Sequence, residues 1–244
     1  MINIKYEATS TSIIIVGSES SIGKALSSLL INAGATVYGI DIGDTDQKSP
    51  SYHYYKSNPL EINKLLEIQT QLKDKSISGI VCLSGTIKHF GSVLDLDETQ
   101  WQEVYDISFK SCYNACKAFA PLLQQSDQAS IVNMSSGLAF GGQANYGPYT
   151  TAKASINSLS KTLATELAPN IRVNTVAPGA VDTGFIYDDE GNMRFEKDRY
   201  LQIVPLKSLA TAEEISDLIM FLLSQASSHI TGQCVHINGG AMMV

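Results

Sequence analysis

Apolar residues recur along this chain in two alternating rhythms. Short runs rich in β-branched residues read as strands: Ser12 to Val16, Thr36 to Asp41, Gly79 to Leu83, Ser130 to Ser135, Arg172 to Ala177 and Cys234 to Ile237, with Tyr52 to Lys56 as a further one. Between them lie stretches with helical spacing. These are Ile22 to Ala33, stopped by Gly34, about Leu60 to Lys73, and a long segment from Trp101, or just before it, that bends and runs to Gln125. Tyr149 to Leu167, ended by Pro169, and Ala212 to Ser224 complete the set, and an irregular acidic stretch precedes the last of them.

Two neighbouring parallel strands need a crossover, and the crossover is normally a helix. The alternation therefore predicts an α/β fold: a single Rossmann-type, doubly wound parallel sheet of about seven strands with helices on both faces. No linker, repeat or low-complexity tract divides the pattern, so residues 1–244 are expected to form one domain.

Composition narrows the function. At 244 residues and 44% hydrophobic, the chain can bury a core without disulfides or metals. Its 17 basic residues against 24 acidic ones, with arginine only at Arg172, Arg194 and Arg199, leave no basic face for nucleic acid. The longest apolar runs, Ser12 to Gly17 and Leu218 to Leu223, fall far short of the roughly 18 residues of a membrane span. Met1 to Thr11, with Lys5, Tyr6 and Glu7 and no apolar block, is unlike a signal peptide, so a cytoplasmic location is expected. Cys82, Cys112, Cys116 and Cys234 lack paired metal-ligand spacing and read as reduced, mostly buried thiols, with no metal site.

The first strand runs into Gly17-Ser18-Glu19-Ser20-Ser21-Ile22-Gly23, which opens a helix. An open α/β sheet binds phosphate at such a turn, because backbone N–H groups face the anion and glycines let it approach. The alternative is a tight strand-to-helix turn without a ligand. Asp41, ending the second strand, can accept hydrogen bonds from both ribose hydroxyls of an adenosine and would repel a 2′-phosphate, with no following Arg to neutralise one. It can equally start the turn from Asp41 to Asp46.

Tyr149 and Lys153 stand four apart, on one face of a helix. A free phenol is a poor base at neutral pH, and a neighbouring cation lowers its pKa, so the pair suits proton transfer with an alcohol or carbonyl. Ser136 can hold the substrate oxygen near the phenol. A solvated helix face is the plainer account of the pair alone.

With these motifs in order, the sequence resembles the classical short-chain dehydrogenase/reductase family over nearly its whole length. The carrying residues are the turn Gly17 to Gly23, Asp41, Ser84-Gly85, Asn133-Met134-Ser135-Ser136, Tyr149 with Lys153, Arg172-Val173-Asn174, Pro178-Gly179 with Thr183, and Ile230-Thr231-Gly232 leading to Asn238-Gly239-Gly240. The resemblance implies NAD(P)-dependent hydride transfer. Tyr149 would be the acid/base, Lys153 would bind the nicotinamide ribose and lower the Tyr149 pKa, and Ser136 would orient substrate. Thr183 and the backbone at Pro178 and Gly179 would meet the nicotinamide. Gly17, Ser20, Ser21, Ile22, Gly23, Ser84 and Gly85 would complete the cofactor site, and Asp41 would favour NAD over NADP. Asn133 and Ser135 otherwise only finish a strand.

The chain also departs from that family. Ser21 stands where a middle glycine is usual, Cys82-Leu83-Ser84-Gly85 replaces a run with side-chain amides, and Ser57-Asn58 replaces an Asp near the adenine. Ser108 stands for a helix Asn whose backbone carbonyl helps hold a water between Lys153 and solvent, and with Ser there the accompanying helix distortion is less assured. Three of these changes fall near cofactor or proton relay, so weaker or slower nucleotide use is expected.

Asp182 to Asp198 holds six acids (Asp182, Asp188, Asp189, Glu190, Glu196, Asp198) and two bases (Arg194, Lys197), in a segment that the resemblance makes a mobile substrate loop. A negative lid disfavours anionic substrates such as acyl carrier protein or coenzyme A thioesters, although a solvated loop that keeps the protein soluble accounts for the same charges. Lys88 and His89 could line the pocket from the other side. The leading expectation is an NAD-dependent oxidoreductase for a small neutral or polyol-like secondary alcohol or ketone. Alternatives are a 3-oxoacyl-carrier-protein reductase and a nucleotide-sensing protein without turnover. A homodimer or homotetramer is implied, built through the two long helices: Ala115, Cys116, Ala118, Phe119 and Ala120 on one, Ala154, Ser155, Ser158 and Leu159 on the other, although a core would accept the same residues.

Overall fold

The structure, a computed structural model, describes residues 6–243 apart from 125, 127 and 189. The helix end expected at Gln125, the lid acid Asp189 and the first five residues of the leader reading therefore lie outside the described residues.

Seven parallel strands form one sheet in the order β3-β2-β1-β4-β5-β6-β7. They are β1 (Ser12–Val16), β2 (Thr36–Asp41), β3 (Tyr52–Lys56), β4 (Gly79–Cys82), β5 (Ala129–Met134), β6 (Ile171–Pro178) and β7 (Cys234–Ile237). The helices are α1 (Ser21–Asn32), α2 (Ile62–Leu72), α3 (Glu98–Tyr105), α4 (Ser111–Leu123), α5 (Gly147–Glu166), α6 (Lys197–Ile203) and α7 (Ala212–Leu223). Expected and observed elements agree to within a few residues, β2 and β3 being joined without a helix as their spacing implies. The expected bend in the long helix is a π-helical turn, Asp106–Lys110, and a short helix not expected, α6, interrupts the acidic stretch.

Period-two alternation divides the core. Ile14 and Val16 join one apolar layer with Leu65 of α2, Phe119 of α4 and Ile156 of α5. Ile13 and Ile15 join the opposite layer with Leu26 and Leu30 of α1 and Ile215 and Ile219 of α7. A side chain of this size contributes about 1.5–3 kcal/mol when fully buried, so strands reading as uninterrupted apolar runs are stable only with both faces covered.

From β1 the chain builds outward to β3, then returns to place β4 on the other flank of β1, so the winding reverses between β1 and β4. In open α/β sheets the crevice beyond the carboxyl ends at such a reversal is where ligands bind. Register brings the ends together: Val16 pairs with Cys82, Cys82 with Asn133, and Pro178 with Ile237. Arg172 and Asn174 fasten the last connection. The Arg172 guanidinium donates to the Leu222 carbonyl at 2.8 Å, and the Asn174 amide donates to the Ile230 carbonyl at 2.8 Å.

Candidate active site

The turn after β1 is built around two glycines. Gly17 has φ +88°, a region that favours glycine, and a Cβ there would lie 3.1 Å from the Ser84 nitrogen. A Cβ on Gly23 would lie 2.4 Å from the Gly17 carbonyl oxygen. Ser20 caps α1, its hydroxyl accepting from the Gly23 N–H at 3.1 Å and donating to the Gly17 carbonyl at 2.8 Å. The N–H groups of Ser21 and Ile22 meet no acceptor among the described residues, and both residues line a cavity of about 350 Å³. That pair at a helix N-terminus fits a dinucleotide phosphate.

The same cavity reaches Gly85, Ser136, Tyr149, Lys153, Pro178, Gly179 and Thr183, which brings most of the expected site residues to one wall. It also recruits Glu19, which sequence reasoning passed over. The Glu19 amide donates to the Asp41 carboxylate at 2.9 Å, and its own carboxylate accepts from the Tyr52 hydroxyl at 2.7 Å. Asp41 also accepts from the Ile42 N–H at 2.7 Å and the Gly43 N–H at 3.3 Å, so its carboxylate is fixed at the end of β2. Lys24, the nearby cation, is engaged with Asp46 at 3.0 Å and Glu19 at 3.5 Å.

Lys153 is buried under this floor. Its ammonium donates to the Met134 carbonyl at 2.8 Å and the Ser84 carbonyl at 3.2 Å, and lies 5.7 Å from the centroid of the Tyr149 ring. Burial pushes Lys153 down to about 8. Burial also pushes the Tyr149 phenol up to about 12, against the opposing effect of the nearby Ser136 hydroxyl. This reverses the expected lowering of Tyr149 by Lys153: with its protons turned to two carbonyls, the ammonium does not offset desolvation of the phenolate.

The departures take on structure here. Ser108, fully buried, sits inside the π-helical turn, so the distortion survives with Ser at this position. Its hydroxyl accepts from the Thr86 N–H at 3.1 Å and donates to the Thr86 carbonyl at 3.3 Å, tying the loop after β4 as an amide side chain would. Asn133 and Ser135 do more than finish β5. They anchor α5, through Asn133 to the Ser160 hydroxyl at 2.9 Å and through Ser135 to the Lys153 carbonyl at 3.0 Å. The sulfurs of Cys82, Cys112 and Cys116 gather within 4.8 Å of one another in the core, a cluster invisible in their spacing because β4 and α4 supply it jointly.

A second cavity, about 320 Å³, adjoins the first and shares Ser136, Tyr149, Pro178, Gly179, Phe185 and Ile186 with it. Ile87, Leu138, Phe195, Ile203 and Met242 make its wall largely apolar, with Tyr146, Arg194 and Tyr200 among its few polar groups. Lys88 and His89 do not line it. They turn to Glu103 on α3, at 2.7 Å and 2.5 Å.

Residues 16–242 match the family model described as enoyl-(acyl carrier protein) reductase. The chain belongs to the classical short-chain dehydrogenase/reductase family. This makes it one of a family of oxidoreductases acting at C=O and CH–OH groups. The match extends over nearly the full length of the bacterial reductases it resembles. It is 31% identical to the 3-oxoacyl-(acyl-carrier-protein) reductase of Chlamydia muridarum over 93% of this chain and 95% of that protein. To the protein of the same name from Buchnera aphidicola it is 28% identical, over 94% and 96%. A short chain dehydrogenase family protein from Francisella tularensis superposes with a TM-score of 0.85 at 30% identity, covering 94% of this chain and 98% of that one. Among the described residues no helix is long and apolar enough to cross a membrane.

Proposed function

We propose that this short-chain dehydrogenase/reductase is an NAD(H)-linked enzyme interconverting a ketone and a secondary alcohol on an apolar carbon chain of the 3-oxoacyl kind. One observation carries the reading: the cavity that opens onto Ser136 and Tyr149 is walled chiefly by Ile, Leu, Phe and Met side chains. A polyol would lose its water there to few polar partners. The expected polyol-like substrate therefore gives way to the 3-oxoacyl alternative, which the names of the bacterial relatives also favour.

The bound nicotinamide would supply or accept the hydride. Ser136 would hold the substrate oxygen beside the phenol, and Tyr149, carrying its proton, would deliver it to that oxygen. Lys153 would fix the floor through Ser84 and Met134 and present its charge to the nicotinamide ribose. Asp41 supports NAD over NADP: its carboxylate is fixed at the end of β2, where the adenosine ribose would lie, and Lys24 is already engaged by Asp46 and Glu19. Of the motives for a sensor without turnover, Ser21, Cys82 and Ser108, the last weakens with the π-helical turn in place.

A homo-oligomer belongs to this reading, but α4 lends it no support. Ala115, Cys116, Ala118, Phe119 and Ala120 are buried in the chain's own core, whereas Ala154, Ser155, Ser158 and Leu159 of α5 retain exposure.

The test is NADH consumption with acetoacetate and acetoacetyl-N-acetylcysteamine, beside NAD reduction with ribitol and sorbitol. Turnover of an acetoacetyl compound roughly tenfold or more above either polyol supports the proposal, and the reverse order overturns it.

A further inference from the structure

The substrate cavity contains one full positive charge in a wall whose other polar side chains are neutral. Arg194 lines it together with Tyr149 and Ser136. Its backbone is held in place, since the Arg194 N–H donates to the Ile186 carbonyl at 2.9 Å and the neighbouring Tyr187 and Met193 form an antiparallel bridge. Its Nε is shielded from solvent and has no hydrogen-bond partner among the described residues, and no described carboxylate forms an ion pair with it.

The described acids of the surrounding segment do not answer this charge. Asp182, Glu190, Glu196 and Asp198 are exposed. Asp188 feels the guanidinium, but its carboxylate is occupied by the N–H groups of Glu190 at 3.0 Å and Asn192 at 2.8 Å. The Tyr146 phenol, also in the cavity wall, is pulled down by Arg194 although burial raises it overall, so the cavity is locally positive beneath a lid that is negative outside.

A shielded guanidinium nitrogen without an acceptor is costly, and a planar fork of donors matches a carboxylate through two parallel bonds. A neutral thioester carbonyl accepts without cancelling the charge. We propose that the substrate is an oxo or hydroxy acid with a free carboxylate, paired with Arg194 while its reacting carbon lies at Ser136 and Tyr149. This deepens the proposed function, because it names the acyl end. In the reducing direction the keto carbon gains the hydride that reduced nicotinamide supplies and its oxygen gains the Tyr149 proton. The C=O becomes CH–OH, and the carboxylate is unchanged.

The experiment compares acetoacetate with its neutral methyl ester in wild type, Arg194→Met and Arg194→Lys. Arg194→Met should raise the acetoacetate KM about tenfold to a hundredfold and leave the ester KM unchanged, with Arg194→Lys intermediate. Equal effects on acid and ester, or a wild type that prefers the ester, overturn the pairing. Calorimetric titration of acetoacetate into the Tyr149→Phe protein with NAD(H) bound separates this from the proposed reaction, since it needs no turnover. Binding that Arg194→Met removes supports the pairing even if no ketone is reduced; no binding, or binding indifferent to Arg194, overturns it.

Discussion

Ser108 and Thr86 are joined twice, the serine hydroxyl accepting the Thr86 N–H at 3.1 Å and donating to the Thr86 carbonyl at 3.3 Å. This pins the loop after β4 against the π-helical turn beside Gly85, where an added Cβ would come within 3.0 Å of the Lys153 nitrogen. Ser108→Ala strands both backbone groups and should cost about 1–3 kcal/mol. Thermal unfolding should show a lower midpoint and steady-state kinetics a higher KM for the dinucleotide. A midpoint equal to wild type would contradict this role.

Gly23→Ala should disrupt the phosphate turn. The added Cβ would meet the Gly17 carbonyl oxygen at 2.4 Å, a backbone atom that cannot swing aside. Overpacking of this kind costs about 1–3 kcal/mol and displaces the start of α1. Fluorescence titration with NADH should show weakened binding even in protein that remains folded.

Under the proposed function, Asp41 would set the cofactor preference. Its carboxylate is held by three backbone N–H groups, so a 2′-phosphate would meet a fixed negative charge. NAD should bind roughly tenfold or more tightly than NADP, and Asp41→Ser should narrow that ratio. Calorimetry returning equal affinities for the native protein would remove Asp41 from this role.

The pH dependence follows from Lys153. Its ammonium is pushed down to about 8, so it is charged below that pH and neutral above it, while Tyr149, pushed up to about 12, keeps its proton throughout the accessible range. For ketone reduction kcat/KM should therefore be flat at neutral pH and fall as pH rises through about 8. A profile rising through that pH, or one unaffected by Lys153→Met, would contradict the assignment.

The sheet was legible because its central strands are buried on both faces and read as apolar runs, Ile13 to Val16 being the plainest. Ser136, Tyr149 and Lys153 were legible because helical spacing and strand ends place them without knowledge of packing. The π-helical turn at Ser108 was less so, since it depends on a bond to Thr86, 22 residues away. Arg194 is one of the lid's charges by sequence alone, and its inward placement depends on the Tyr187 to Met193 bridge. The apolar flanks Met193 and Phe195, in an otherwise acidic segment, are the sequence signal that could have marked it. The acidic lid suggested exclusion of anions because sequence sums charges without showing which face them inward.

Tyr149→Phe bears most directly on the central claim. It removes one oxygen from a buried ring and leaves the glycine turn, Asp41 and Lys153 in place. With NADH and the acetoacetyl substrates, kcat should fall about 10²- to 10⁴-fold while calorimetry returns unchanged dinucleotide affinity. Turnover retained at the native level in Tyr149→Phe would contradict the account.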